Sequence, residues 1–344
     1  MRILVITQKV DEQDAVLGFF HRWLKEFSKK FEFVTVICLE RGGYNLPSNV
    51  KILSLGKEVA PSKLLYVLNF YKYIWRERKN YDVVFVHMNQ EYVLLGWKLW
   101  KLMGKKIYMW RNHKMGNVLT RYAVAVSDKV FCTSPGSFTA RFKKTILMPV
   151  GIDSEFFKKM PEVSKIQNSV LSIGRISPVK HIDVFVSALE LLRMKNQNFV
   201  AYVYGNPTPV DHTYFSNIKE LAADLVKTGH IVFKNEVPNI KTPEVYNAHE
   251  IYVNLTDSGS FDKTIVEAML CESLVLISNE SLTDMVERQF VFKDRNAEDL
   301  AAKLDILLRS TPQKKAEWAQ KLRESAKKHS LEKLTSELVR VMAK

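Results

Sequence analysis

Cysteine is scarce: Cys38, Cys132 and Cys271 are an odd number at wide spacing, which fits neither a disulfide framework nor a zinc cluster. A reducing cytoplasm is the expected location. Long apolar runs are lacking too. Residues 1–9 hold too short an apolar stretch for a secretory signal and read as a first buried strand, and no later segment strings eighteen apolar residues together without a charge. No membrane span is expected. The loop after the first strand, residues 8–14, has no Gly-x-Gly-x-x-Gly turn, which counts against a dinucleotide dehydrogenase. His, Cys, Asp and Glu form no group at metal-ligand spacing, so neither a metal nor another cofactor is expected. Acidic residues are missing from 93–127, where Lys98, Lys101, Lys105, Lys106, Arg111, Lys114 and Arg121 all occur.

What is present is a positive field. The net charge of +14 attracts anions in general: nucleotide phosphates, acidic lipids or nucleic acid. The sign alone does not choose among them, but no nucleic-acid-binding motif accompanies it, so nucleic acid is not an expected partner. Apolar residues make up 47% and charged residues 26%, an ordinary globular balance. A chain of 344 residues is long for one core and points to two domains.

Short β-branched runs alternate with amphipathic stretches. In the first half the pattern predicts strands over 2–7, 33–38, 50–53, 83–86, 106–109, 129–132 and 145–148, and helices over 15–30, 63–78 and 91–103. The rhythm breaks at 149–153 and a polar stretch, 158–168, follows. It then resumes with strands over 169–173, 199–204, 230–233, 251–255 and 274–277, and helices over 181–194, 212–227, 243–248 and 263–272. Such alternation implies parallel sheets covered on both faces. The charged tail, 313–343, carries Trp318, Leu322, Leu331, Leu334, Leu338 and Val341 at helical spacing, so it must pack on something already formed.

In open parallel sheets ligands bind beyond the carboxyl ends of the strands, which directs the search to three loops of the second half. Gly174, Arg175 and Lys180 lie between a strand and a helix start. Free backbone donors and two cations there suit a diphosphate; the alternative is a pair of solvated surface charges. In the second loop Gly259 and Ser260 precede Phe261 and Asp262, and Asp262 is placed to cap the helix that opens with Lys263 and Thr264, whose backbone donors would face a ligand. Glu267, one turn in, can accept two hydrogen bonds from ribose hydroxyls or pair with Lys263 on the surface. The third loop, 234–240, contains Val237 and offers backbone to a nucleobase edge.

Taken in order, Gly174-Arg175 with Lys180, Gly205 after a strand, and Phe261 with Glu267-Ala268-Met269 resemble the retaining family 4 glycosyltransferases, and the resemblance spans essentially the whole chain. Pro149-Val150-Gly151-Ile152-Asp153 is similar to that family's hinge. The resemblance implies an α/β GT-B fold, two doubly wound, Rossmann-like parallel-sheet domains facing across a cleft. Residues 1–155 would bind the acceptor, with a helix at about 329–344 packing back on them, and 165–328 would bind the nucleotide sugar. Arg175 and Lys180 would hold the donor diphosphate and stabilise it as it departs, so no metal is required. Glu267 aligns with the second acid of a Glu-seven-residues-Glu motif. Gly174, Gly205, Val237, Gly259, Ser260, Phe261, Asp262, Lys263 and Thr264 complete the donor side. Two positions depart: Gly259 stands where the first glutamate falls and Asp262 where a glycine is usual, which leaves the identity of the sugar open.

On the acceptor side, Asp14 belongs to an acidic first loop that can hold hydroxyl groups or simply favour a helix start. His87 and His113 each follow a strand of the first half, and the resemblance puts His113 near the transferred sugar and so among the catalytic residues. The expected reaction is retaining transfer of a hexose from a nucleotide-diphosphate sugar to a hydroxyl of a saccharide, a lipid-linked sugar or another glycoconjugate. A nucleotide-sugar epimerase of the same architecture and a non-catalytic nucleotide-sugar binder are the alternatives. The stretch 92–103 is apolar nearly all round and suits a buried helix or, with 63–79, a helix lying on an anionic bilayer. Peripheral contact of the basic first half with a membrane surface is therefore expected.

Overall fold

A computed structural model describes residues 1–258, 261–279, 282 and 285–344. The first stretch of chain forms β1 (Ile3–Val10), α1 (Phe19–Lys30), β2 (Val34–Arg41), β3 (Val50–Ser54), α2 (Lys63–Arg76), β4 (Val83–His87), α3 (Gln90–Leu102), β5 (Lys106–Trp110), α4 (Val118–Val126), β6 (Lys129–Cys132) and β7 (Thr145–Leu147). There follow β8 (Ile166–Ile173), α5 (Ile182–Met194), β9 (Val200–Tyr204), α6 (His212–Leu221), α7 (Ala223–Lys227), β10 (Ile231–Lys234), α8 (Thr242–Ala248), β11 (His249–Asn254), α9 (Lys263–Leu270), β12 (Leu274–Ile277), α10 (Ala297–Arg309), α11 (Pro312–Ala326) and α12 (Leu331–Met342). They form two units, one of Met1–Gly151, Pro238–Ile240 and Ser330–Lys344, the other of Ile152–Val237 and Lys241–His329.

In the first unit seven parallel strands run in the order β3-β2-β1-β4-β5-β6-β7. β1 shows how the sheet is covered. Ile3 and Val5 face a cluster with Phe20, Trp23 and Leu24 of α1 and Leu334 and Leu338 of α12. Leu4 and Ile6 face the other way, against Phe70 and Ile74 of α2 and Val93 and Trp100 of α3. Both faces of the strand are buried, hence its unbroken apolar run. The apolar positions of α12 recur at three- and four-residue spacing and lie on this core. Gly151 has a φ of +80°, and a side chain there would meet Leu334 and Trp23, whose indole donates to the Gly151 carbonyl at 2.8 Å.

The second unit has five parallel strands in the order β10-β9-β8-β11-β12. Its strand order reverses between β8 and β11, as that of the first unit does between β1 and β4. The carboxyl ends of those strands are where a doubly wound sheet leaves a crevice.

Several helices differ from the sequence pattern for local reasons. α1 starts four residues later than expected because the Asp14 carboxylate takes the backbone N–H groups of Val16 and Leu17 in a turn. One long expected helix is two, α6 and α7, parted at Ala222. α4 and α10 add cover not read from periodicity; α4 is announced only by a capping box between Asn117 and Thr120. No helix among the described residues is long and apolar enough to cross a membrane.

Candidate active site

At the reversal point of the second unit, Gly174, Arg175 and Lys180 line a recess with Asn254 and Tyr252 at the ends of β8 and β11. The backbone explains the two glycines. Gly174 and Gly205 have φ of +139° and +155°, and a β-carbon on Gly205 would lie 1.9 Å from the Gly174 carbonyl oxygen. The chain therefore pairs tightly after both strands, with Gly174 N–H on Tyr204 and Ile176 N–H on Asn206. That contact brings Arg175 out at the edge, exposed and without a hydrogen bond or ion pair to any described residue.

Lys180 is held differently. A short 3-10 turn, Pro178–Lys180, precedes α5, and His181 takes a left-handed conformation at their junction. The Lys180 ammonium donates to Asp262 at 2.6 Å and to Thr256 Oγ1 at 3.1 Å. Asp262 caps α9 and is the hub of the loop. One oxygen accepts from Lys180, Thr256 and Asn254, the other from the Thr264 hydroxyl and backbone N–H. Burial pushes the pKa of this carboxyl up, but the Lys180 charge and the hydrogen bonds outweigh it and hold the group well below the usual carboxylate range. The Thr264 backbone donor, expected to face a ligand, is thus occupied by the cap. Nearby, Asp257 accepts from His181 at 2.9 Å and from Arg295 at 3.2 Å.

Glu267 sits one turn into α9 at 4% exposure and receives the Tyr246 hydroxyl at 3.0 Å. Its carboxylate is too buried to be a solvated surface charge. Tyr246 stays protonated, since burial and the adjacent Glu267 push its pKa well above the ordinary value. Phe261 is half-buried with its ring 5.5 Å from that of His329, and Val237 is half-buried in the loop after β10. Gly259 and Ser260 lie outside the described residues.

In the first unit the expected acceptor residues divide. Asp14 spends its carboxylate on Lys9, at 2.8 Å, as well as on the turn that starts α1. His87 ends β4 but is only 6% exposed, stacked among Phe20, Trp23 and Trp110. His113 is exposed, and its Nδ1 lies 3.0 Å from the Met115 backbone nitrogen and 3.1 Å from the Met115 carbonyl oxygen. Sequence reasoning singled out neither Lys9 nor Asn89, which donates to Gln8 at 2.6 Å beside the reversal between β1 and β4.

A family model described as glycosyl transferases group 1 matches residues 153–329. No curated protein matches. Among solved structures, HepE of Anabaena in complex with UDP and glucose is similar to this chain with a TM-score of 0.79 at 17% identity, over 100% of both chains. A glycosyltransferase from Rickettsia africae gives 0.76 at 16% identity, over 98% of this chain and 97% of that one. Sucrose-phosphate synthase of Thermosynechococcus elongatus gives 0.78 at 13%, over 100% and 98%. At such identities the likeness is one of fold, and the two parallel-sheet units have the GT-B fold.

Proposed function

The chain belongs to the glycosyl transferases of group 1, and from that premise we propose that it is a retaining hexosyltransferase using a nucleotide-diphosphate sugar. One observation carries the proposal: within the matched region, Gly174, Arg175 and Lys180 line one recess at the reversal point of the second sheet. The complexes of HepE with UDP and glucose support a uridine nucleotide as the first donor to try.

In this reading the second unit binds the donor and the first unit the acceptor, a saccharide, a lipid-linked sugar or another glycoconjugate. The bond from the anomeric carbon to the diphosphate oxygen breaks, a bond to the acceptor hydroxyl oxygen forms on the same face, and the acceptor proton passes to the departing phosphate. The main demand is then to stabilise charge growing on that phosphate. Arg175, with no carboxylate to satisfy, and Lys180, which can exchange Asp262 for phosphate, supply it without a metal. The resemblance assigns Glu267 to the ribose end of the donor, a role in which it must release Tyr246, and His113 to the transferred sugar.

Contact with an anionic bilayer is part of the proposal, and α2 is the element that supports it. Leu64, Leu68 and Trp75 are 71%, 58% and 52% exposed, with Tyr71 between them and Lys63, Lys72 and Arg76 alongside. Its one acid, Glu77 at the end, is buried beneath Lys51 and Arg76. An apolar stripe edged by cations suits a helix lying in the headgroup layer. α3 turns Val93, Gly96 and Trp100 into the core, as a buried helix does.

The test is a thermal shift and transfer assay with uridine, guanosine and adenosine diphosphates and their sugars. A donor binding only the folded chain raises stability by about 2.7 kcal/mol at a hundredfold excess over its Kd. Transfer with the anomeric configuration kept, read by NMR, is the expected result. Conversion of the sugar without an acceptor would identify an epimerase, binding without turnover a non-catalytic binder, and no binding at all would overturn the donor site.

A further inference from the structure

Arg111 is the first residue beyond β5, next to the point where the first sheet reverses its strand order. Its backbone is fixed on both sides. The N–H donates to Phe131 at 2.9 Å, and the carbonyl accepts from Thr139 Oγ1 at 2.7 Å. Its side chain, by contrast, is poorly served. Nη1 reaches the Met88 carbonyl at 3.5 Å and Nη2 the Met115 carbonyl at 3.3 Å, both at the long end for such bonds. Nε is buried with no hydrogen-bond partner among the described residues. Burial lowers the pKa of this guanidinium, and Glu91, which pulls the other way, forms no ion pair with it.

A half-buried arginine with an orphan Nε and no carboxylate is expensive to keep. The loop that follows it is basic too. Arg141 and Arg121 lie over the Phe138 ring at 4.3 and 5.7 Å, and Phe138 N–H holds the His113 carbonyl, which fixes the loop that follows Arg111. Neither arginine has a carboxylate partner among the described residues, and the sequence places no acid between positions 93 and 127. A guanidinium without counter-charge beside the crevice of a doubly wound sheet leaves room for a missing anion.

We propose that Arg111 is the counter-charge for a phosphate group on the acceptor, so that this crevice takes phosphate-bearing acceptors. The planar guanidinium fork fits two phosphate oxygens at once, offered through Nη1 and Nη2, whose carbonyl partners stand at 3.5 and 3.3 Å. The inference rests on the proposed transfer reaction but is read by binding, so the two fail separately.

The experiment titrates the full chain, held in saturating UDP to occupy the donor side, with glycerol 3-phosphate in one arm and with phosphatidylglycerol or phosphatidylcholine vesicles in the other. Wild type, Arg111→Gln and Arg111→Lys are compared. Saturable binding of the soluble phosphate, weakened at least tenfold by Arg111→Gln and less by Arg111→Lys, supports a soluble phosphorylated acceptor. The same loss on phosphatidylglycerol vesicles alone supports a lipid phosphate. Because the variant removes a desolvated unpaired charge, Arg111→Gln should melt no lower than wild type, which a purely structural arginine would not allow. Equal phosphate binding by wild type and Arg111→Gln in both arms, or a lower Tm for Arg111→Gln, overturns the proposal. Failure of UDP to bind any of the three proteins would instead count against the donor site.

Discussion

The two sheets reverse strand order in the same way, yet the charges at their carboxyl ends are treated differently. In the second unit Lys180 rests on Asp262 and Thr256, while His181 and Arg295 rest on Asp257. In the first unit Arg111, Arg121 and Arg141 have aromatic rings and backbone carbonyls for company and no carboxylate among the described residues. A paired edge is stable on its own and must exchange a partner to bind an anion. An unpaired edge stores the cost in the free protein and recovers it when the anion arrives.

Substitution can break that contrast, beginning with the largest effect. Arg175 is a cation with no ion pair to any described residue, so Arg175→Ala should lower kcat/KM by about 10²- to 10³-fold, as loss of an oxyanion donor does. Steady-state kinetics with a saturating acceptor would show it, and an unchanged rate would remove Arg175 from the reaction. Gly205→Ala pushes a methyl group into the Gly174 carbonyl and should cost at least about 2 kcal/mol in urea unfolding, because a backbone atom must move.

Asp262→Asn keeps a good helix cap but removes the charge facing Lys180, and a loss of about 1–2 kcal/mol is expected for a pair that water still reaches on the lysine side. The pH dependence follows from the depressed carboxyl. Its contribution is complete above the unfolded value of about 3.9 and is lost as pH falls further toward the folded value. The stability gap between wild type and variant should therefore close in acid, and a gap that persisted would show that the ion pair is not its source.

On the surface, Trp75→Ala should weaken binding to anionic vesicles by about threefold to tenfold while moving stability by less than about 0.5 kcal/mol. Sedimentation with vesicles and a melting curve test the two halves of that statement. The smallest effect is expected from a chelator: excess EDTA should change turnover by less than about twofold if arginine and lysine carry the leaving-group charge.

Much of the architecture could be read along the chain because buried parallel strands are short unbroken apolar runs. β4, β6 and β12 coincide with such runs almost residue for residue. The loops after strands are equally visible, and so the sequence points to Gly174, Arg175 and Lys180, which line one recess. α4 escaped notice because its outward face carries Val118, Leu119 and Tyr122, which blurs the contrast that periodicity needs. For His87 the sequence reaches no further than the end of its strand. It ends a strand, but whether a strand-end side chain turns outward or into the aromatic cluster depends on α1, which lies far away in sequence.

The order of residues alone determined where strands alternate with helices, which loops follow strands, and that positive charge outweighs negative from position 93 to 127, since each is a property of neighbours along the chain. Tertiary structure decided that Lys180 meets Asp262, 82 positions away, that Gly205 must be bare because Gly174 lies against it, and that Arg111 is left half-buried with an orphan Nε. Burial and pairing depend on which distant segments pack together, and a charge becomes informative only when its solvent and its partners are known.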